Sequence, residues 1–467
     1  LAAVGDGGGR VSTAPWDEGL LDRMRRTADP LADDTIAAIF AHGRPAVAAA
    51  RAVLDRLRDN GSPVDWEGVP DAVRVPLERF FAASATPPAW RDPALVAHAE
   101  RFFYDHGMLS VLTLFGASLP ACYIVPNLAE VLQVAGQLIE HTDHRVRETG
   151  RMIFPVMAPG GLTAPQGTGI PQVQRVRLIH ATIRHDILHG NPTEALRAVD
   201  EGGGWRVAGS GATPPPRCPM HQAMRDHGWD VATDGLPINQ EELAYTLLTF
   251  SWVALGALRA LGVVVTPDDE RAYLHCWNVA GHHLGIDRVL MVDTMADAER
   301  LYAAVQARGR RLPLPARGDP RPLLGRALVA AMQRAIPIAA LRPLAVLLPR
   351  FLLGDATADL LGIDQHVGAL TRAVYRAALV LLRVVERVLR WLDREVSLVR
   401  LLHRVLAYHV LRDLLELETR PLELPDGVLH PLVASWAHDA RQPSWIRPLE
   451  RALTGPPLRA AMRPAGA

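Results

Sequence analysis

The sequence predicts an all-α protein, and three observations carry that expectation. Apolar residues recur at helical spacing along almost the whole chain. Short alternating runs of β-branched residues, the signature of half-buried strands, are rare. The 37 prolines and 37 glycines gather between the periodic segments, where they punctuate helices and do not interrupt them. A chain of 467 residues with a hydrophobic fraction of 49% has enough apolar material for a sizeable core.

Taken in order, residues 1–95 read as several short helices joined by Pro and Gly turns. Longer helices are expected at 94–116, 127–140, 143–154 and 172–189. Between the last two, PVMAPGGLTAPQGTGIP (155–171) is too rich in Gly and Pro to be helical, as is EGGGWRVAGSGATPPPRCPMHQ (201–222). A helix over 239–262 has Asn239 as its N-cap with Glu242 three residues on, a variant of the capping box. The helix over 267–284 opens on Pro-Asp-Asp-Glu, acids where the helix dipole favours them. Leu243–Val265 is long enough to span a bilayer, but its Tyr, Thr and Ser content and lack of positive flanks favour a buried core helix, so no transmembrane span is expected. Residues 319–352 are apolar and broken by prolines. Residues 368–417 form one or two arginine-laced amphipathic helices with the composition of a membrane-surface segment, or, more plainly, a face packed on the rest of the fold.

Charge and cysteine content narrow the function. The 50 basic and 50 acidic side chains cancel, which leaves no electrostatic footprint for nucleic acid. No lysine occurs, so all 50 cations are arginines and any chemistry needing a titratable side-chain amine is excluded. Cys122, Cys218 and Cys276 are too few and too scattered for a disulfide framework, a thiolate zinc site or covalently attached haem. The dipeptide Cys218-Pro219 resembles a haem-regulatory motif, a weak signal in a loop. The first residues, LAAVGDGGGR, lack the apolar stretch of a signal peptide, so a cytoplasmic location is expected, or secretion where the N-terminus has been processed or trimmed.

Candidate chemistry concentrates in two segments. In QRVRLIHATIRHDILHG (174–190), His180 shares a helical face with Val176, Ile183 and Ile187. Such an imidazole is either a core histidine bonded to a backbone carbonyl or a neutral axial ligand beside an apolar porphyrin. The same segment sets His185 and His189 four apart with Asp186 between them, an echo of HExxH zinc sites that would support a hydrolase, although no third ligand follows at the usual spacing. In HTDHRVRETGR (141–151), Arg145, Glu148 and Thr149 converge on one face, either a solvated Arg–Glu pair or a polar cluster opposite His180. Glu130, in NLAEVLQVAG, is an acid in an otherwise apolar helix, either facing solvent or buried with the raised pKa of a general base.

The ordered set of Arg145-x-x-x-Thr149, a Gly/Pro loop and RVRLIHATIRH (175–185) resembles the haem-containing latex clearing proteins and the wider oxygenase family around them. NQEELAYTLLTFSWVALGALRALG (239–262), DDERAYLHCWNVAGHHLGI (268–286) and LRPLAVLLPRFLLGDATADLLGI (341–363) agree, so the likeness covers roughly 95–365. The resemblance implies a globin-like helical core at 96–300, a helical extension at 1–95 and a second at 301–467, all three also able to form one large domain. It implies a non-covalent haem b with His180 on the iron, Arg145 and Thr149 on the distal side, and Glu130 or Glu148 as base. It further implies dioxygen as co-substrate and a hydrophobic isoprenoid substrate, polyisoprene or a smaller prenyl chain, cleaved at its double bonds to aldehyde and ketone ends. A haem protein that senses or carries oxygen is the other reading. Some relatives place a lysine before the threonine that can occupy the iron's sixth position; here that place is Glu148. The resting visible spectrum of the purified protein is therefore expected to be open and high-spin, and a six-coordinate low-spin spectrum contradicts it.

Overall fold

The computed structural model describes residues 16–134, 142–189 and, with short gaps, 229–388. Every regular element among these residues is helical, as the periodicity predicts. In the N-terminal region the helices are α1 (Glu18–Arg25), α2 (Pro30–Phe40), α3 (Gly43–Arg56) and α4 (Asp71–Ala85). There follow α5 (Pro93–Asp105), α6 (Gly107–Thr113), a π turn (Leu114–Ser118), α7 (Leu119–Cys122), α8 (Pro126–Val134), α9 (Thr142–Met157) and α10 (Gly169–His189). The later helices are α11 (Val231–Asp234), α12 (Gln240–Leu248), continued through a second π turn (Thr249–Val253) into α13 (Ala254–Ala260), then α14 (Pro267–His283), α15 (Met295–Arg311), α16 (Arg321–Ala335), α17 (Leu344–Leu353) and α18 (Asp355–Leu360).

Local chemistry explains many of the starts. Three helices open on a capping side chain followed by proline. Asp29-Pro30 begins α2, Asp92-Pro93 begins α5 and Thr266-Pro267 begins α14, the cap accepting a backbone N–H and proline filling a position whose own N–H would be orphaned. Asn239 caps α12 by accepting from the Glu242 N–H at 3.0 Å, as the sequence predicts. Thr266 and Asp269 complete a reciprocal capping box on α14.

Two boundaries differ from the periodicity. The helix expected at 94–116 breaks at His106, because Gly107 takes a positive φ of 23°, and the chain resumes as α6. The loop expected at 155–171 is shorter and occupies 158–168. Pro155 stays inside the last turn of α9, where Ile153, Phe154, Val156 and Met157 are all buried and their packing outweighs proline's local cost. Gly169 and Pro171 already belong to the first turn of α10. The irregular stretch at 201–222, with Cys218, lies outside the described residues, as does the helix expected beyond 388.

One large apolar cluster runs from Trp16 to Ile363 and takes in α5–α10 and α12–α18. The α12–α13 helix is the one described helix long and apolar enough to cross a membrane, and most of it is buried inside this cluster. A second cluster joins α2, α3 and α4 to Leu178 and Ala181 of α10. The N-terminal helices thus pack directly on α10.

Polar contacts fix that packing. The Arg177 guanidinium grips Asp29 with two hydrogen bonds, 2.6 and 2.8 Å, and donates a third to the His283 carbonyl at 3.1 Å. Arg184 pairs with Asp33 at 2.9 Å and donates to the carbonyls of Pro237 and Ile238. Arg175 donates to the carbonyls of Leu54 and Leu57 at the end of α3. Because Arg177 and Asp29 are both buried, removing one partner strands a charge. In urea unfolding, Arg177→Met is expected to cost about 3–5 kcal/mol and Asp29→Leu/Arg177→Met distinctly less, whereas breaking the exposed Arg56–Asp65 pair changes little.

Candidate functional site

The site is built where α9 meets α10. The loop between them is closed at its neck, since the Gly169 N–H reaches the Gly161 carbonyl at 2.9 Å. The chain therefore leaves α9, folds tightly and continues as α10, and the two helices pack on each other. Gly161 has to lack a side chain, because a Cβ there would meet the Pro155 carbonyl at 2.1 Å.

Polar groups from outside nail this loop down. The Asn60 side chain donates to the carbonyls of Gly161 and Ala164 at 2.9 and 2.8 Å and accepts from the Ile170 N–H at 3.1 Å. Its own backbone N–H donates to the Gly167 carbonyl, and the Gly61 N–H donates to Pro165. On the other side, Glu100 accepts from the Gly160 N–H at 2.9 Å. Burial pushes the Glu100 carboxyl up to about 7, against the pull of the Gly160 and Gly161 N–H groups and of Arg101.

His180 sits midway along α10, half-buried, on the stripe expected from the sequence, with Val176 and Ile183 half-buried and Ile187 buried. It makes no hydrogen bond to another described residue, so the reading of a core histidine tied to a backbone carbonyl does not hold for the described part of the chain. Burial lowers its pKa to about 4, with the neighbouring Arg184 charge acting in the same direction and Asp29 in the opposite one. The residue is thus a half-buried imidazole held neutral, with no hydrogen bond to a described residue.

Two further histidines are also held neutral. His283 donates from Nδ1 to the Ser84 carbonyl, leaving Nε2 buried without a partner, and burial lowers its pKa to about 4. That is the electronic arrangement of a metal ligand, but the side chain is closed in on every side, at 0% exposure. His185 has a pKa lowered to about 4 by burial and by His189, and its ring is crowded by the edge of Phe40 and by His189. The Nδ1 of His189 is turned back onto the His185 carbonyl at 3.2 Å. Among the described residues no group of three or more His, Cys, Asp or Glu side chains converges as a metal site, so HDILH supplies no third ligand there.

The other predicted residues fall as follows. Glu130 is 5% exposed on α8, between buried Ala129 and Val131, which removes the solvent-facing alternative. Thr149 is half-buried on α9. Arg145 and Glu148 lie on α9, which packs along α10, and their side chains lie outside the described residues.

Sequence reasoning missed two acids. Glu100 lies one turn from both Val96 and Phe103, an acid inside an apolar stripe, and the argument that singled out Glu130 applies to it equally. Glu242 was read only as a capping partner. Its side chain is 5% exposed, and Oε2 has no hydrogen bond to a described residue although it lines a small cavity with Asn127, Asn239 and Arg308. Burial raises its pKa to about 8, helped by Glu241 and opposed by Arg25 and the N–H groups of Asn239 and Ile238.

Comparison with known proteins follows the same lines. Residues 219–384 match the family described as ER-bound oxygenase mpaB/B'/Rubber oxygenase, catalytic domain. The rubber oxygenase of Streptomyces sp. (strain K30) is 22% identical over 345 residues, covering 72% of this chain and 71% of that protein. The solved structure of latex clearing protein LCP in the closed state superposes with a TM-score of 0.56 at 21% identity, over 76% of this chain and 82% of that one. The family match begins after residue 219 and so does not reach Glu130, Arg145, Thr149 or His180.

The raised Glu242 pKa sets a pH dependence. The folded chain holds this proton and the unfolded chain releases it above an ordinary value of 4.5, so its contribution to stability falls between pH 4.5 and about 8. Glu242→Gln is expected to unfold at higher urea than the parent at pH 8, by about 1–3 kcal/mol, with the gap shrinking towards pH 5. Sequence and fold agree on the likeness: residues 219–384 match the mpaB and rubber oxygenase family, and the helical fold is similar to that of latex clearing protein.

Proposed function

We propose that this protein is a haem b-dependent dioxygenase that cleaves carbon–carbon double bonds of an isoprenoid chain, cis-1,4-polyisoprene or a smaller prenyl substrate, to aldehyde and ketone ends. The observation that carries the reading is His180: neutral, without a hydrogen bond to a described residue, half-buried and flanked by aliphatic side chains. The relationship to oxygenases supplies the reaction class. One alkene and one dioxygen account for both carbonyl products, with no external reductant consumed.

The donor set fits a haem in its chemistry. His180 would hold the iron, and its aliphatic neighbours suit the apolar ring. When bound, the haem would supply a ferrous iron that activates dioxygen. The chain's own groups do the rest. Arg145 and Thr149 orient the oxygen by hydrogen bonding and stabilise the negative charge that develops on it. Glu130, buried in α8, takes an allylic proton from the substrate and returns it, with Glu148 as the alternative base. The 158–168 loop walls the pocket and keeps water out.

The purified protein is expected to show a Soret band with about one haem per chain, to consume oxygen with polyisoprene or farnesyl compounds, and to release carbonyl products. His180→Ala is expected to lose the Soret band. Glu130→Gln is expected to keep it and to slow product formation by about 10²-fold or more. Oxygen binding without carbonyl products points to a carrier or sensor, and full activity in a colourless, haem-free preparation overturns the proposal.

A further inference from the structure

The C-terminal part of the described chain carries an apolar face that the other described residues leave open. Residues 369–374, and beyond them 377, 380, 381, 384 and 388, are helical. Leu370, Val374, Leu381, Val384 and Val388 fall on one side of that helix, at alternating steps that sum to whole turns, and Val380 stands at its edge. All six are between 49% and 79% exposed. A scatter of single exposed apolar residues is normal, but a contiguous stripe of this kind marks an interaction surface. The plainer expectation, that this face packs on the rest of the fold, is not met for these residues.

The charge of the same stretch selects the partner. In a chain whose acids and bases cancel, residues 369–390 hold five arginines, Arg372, Arg376, Arg383, Arg387 and Arg390, against the single acid Glu386. We propose that this exposed stripe docks the protein on an anionic lipid surface, entering the boundary between headgroups and acyl chains, with the arginine-rich sequence of the stretch drawing it to lipid phosphates. An apolar face combined with an excess of arginine is the composition of an interfacial helix. A second copy of the same helix is a poorer occupant, because pairing would bring the two sets of arginines together with one acid each to neutralise them. The inference stands independently of the oxygenase reading, since it uses no residue of the proposed site.

The test is co-sedimentation of the full-length chain with vesicles of phosphatidylcholine alone and of equal parts phosphatidylcholine and phosphatidylglycerol. Binding is expected with the anionic vesicles, weaker by about tenfold or more with neutral ones, and reduced by high salt. Leu381→Glu/Val384→Glu, which alters exposed positions, is expected to abolish binding while the circular dichroism spectrum and thermal unfolding stay as in the parent. Three results overturn the proposal: a parent chain that stays in the supernatant with anionic vesicles, a variant that binds as well as the parent, or a variant whose sole change is loss of a dimer. The first indicates that residues after 390 cover the face, and the last that a second copy does.

Discussion

Three arginines reach out from α10 into the N-terminal helices, and their hydrogen bonds determine where His180 stands. Arg175 binds the last carbonyls of α3, Arg177 grips Asp29 at the start of α2, and Arg184 reaches Asp33 one turn later. An aliphatic contact tolerates sliding, whereas a bidentate guanidinium–carboxylate pair fixes both rotation and height. The imidazole lies between Arg177 and Arg184, so its place along and around the helix follows from theirs. The absence of lysine then has a structural side: each of these contacts uses the planar fork that only arginine provides.

The electrostatics of the interior are shared more widely than the geometry. Burial keeps His180, His185 and His283 neutral alike, and any of them would satisfy the electronic demand on a metal ligand. What distinguishes His180 is its surroundings. His283 is sealed and bonded to the Ser84 carbonyl and His185 is crowded by Phe40 and His189, while His180 stands half-buried on the aliphatic stripe of α10. A depressed pKa therefore locates buried histidines, and the neighbours of each decide which is a candidate site.

How much of this was legible in the sequence depends on whether a feature is local. Caps were readable because a cap is chemistry between neighbours: Asn239 and the acidic start of α14 sit where they were expected. The stripe through Val176, His180 and Ile183 was equally plain, being a matter of period. The break at Gly107 was not, because glycine inside an apolar run is compatible with a continuous helix until its φ is known. Pro155 misled in the opposite direction, since tertiary packing keeps α9 helical through it. Nothing in a single sequence pairs Arg177 with Asp29, 148 residues away, or aims Asn60 at a loop a hundred residues later. Contacts at that separation come from the folded topology alone.

The saturation of Asn60 has a consequence for how the protein works. Both ends of its amide and its backbone N–H are committed to the 158–168 loop and the first turn of α10, and Glu100 holds the same loop from the opposite side. A segment tied at both flanks to two different parts of the scaffold belongs to the rigid frame. Turnover at a buried centre requires an entrance that opens on its own timescale, and this loop is the wrong place to look for it. On the proposed function, the entrance for substrate belongs to some other part of the chain.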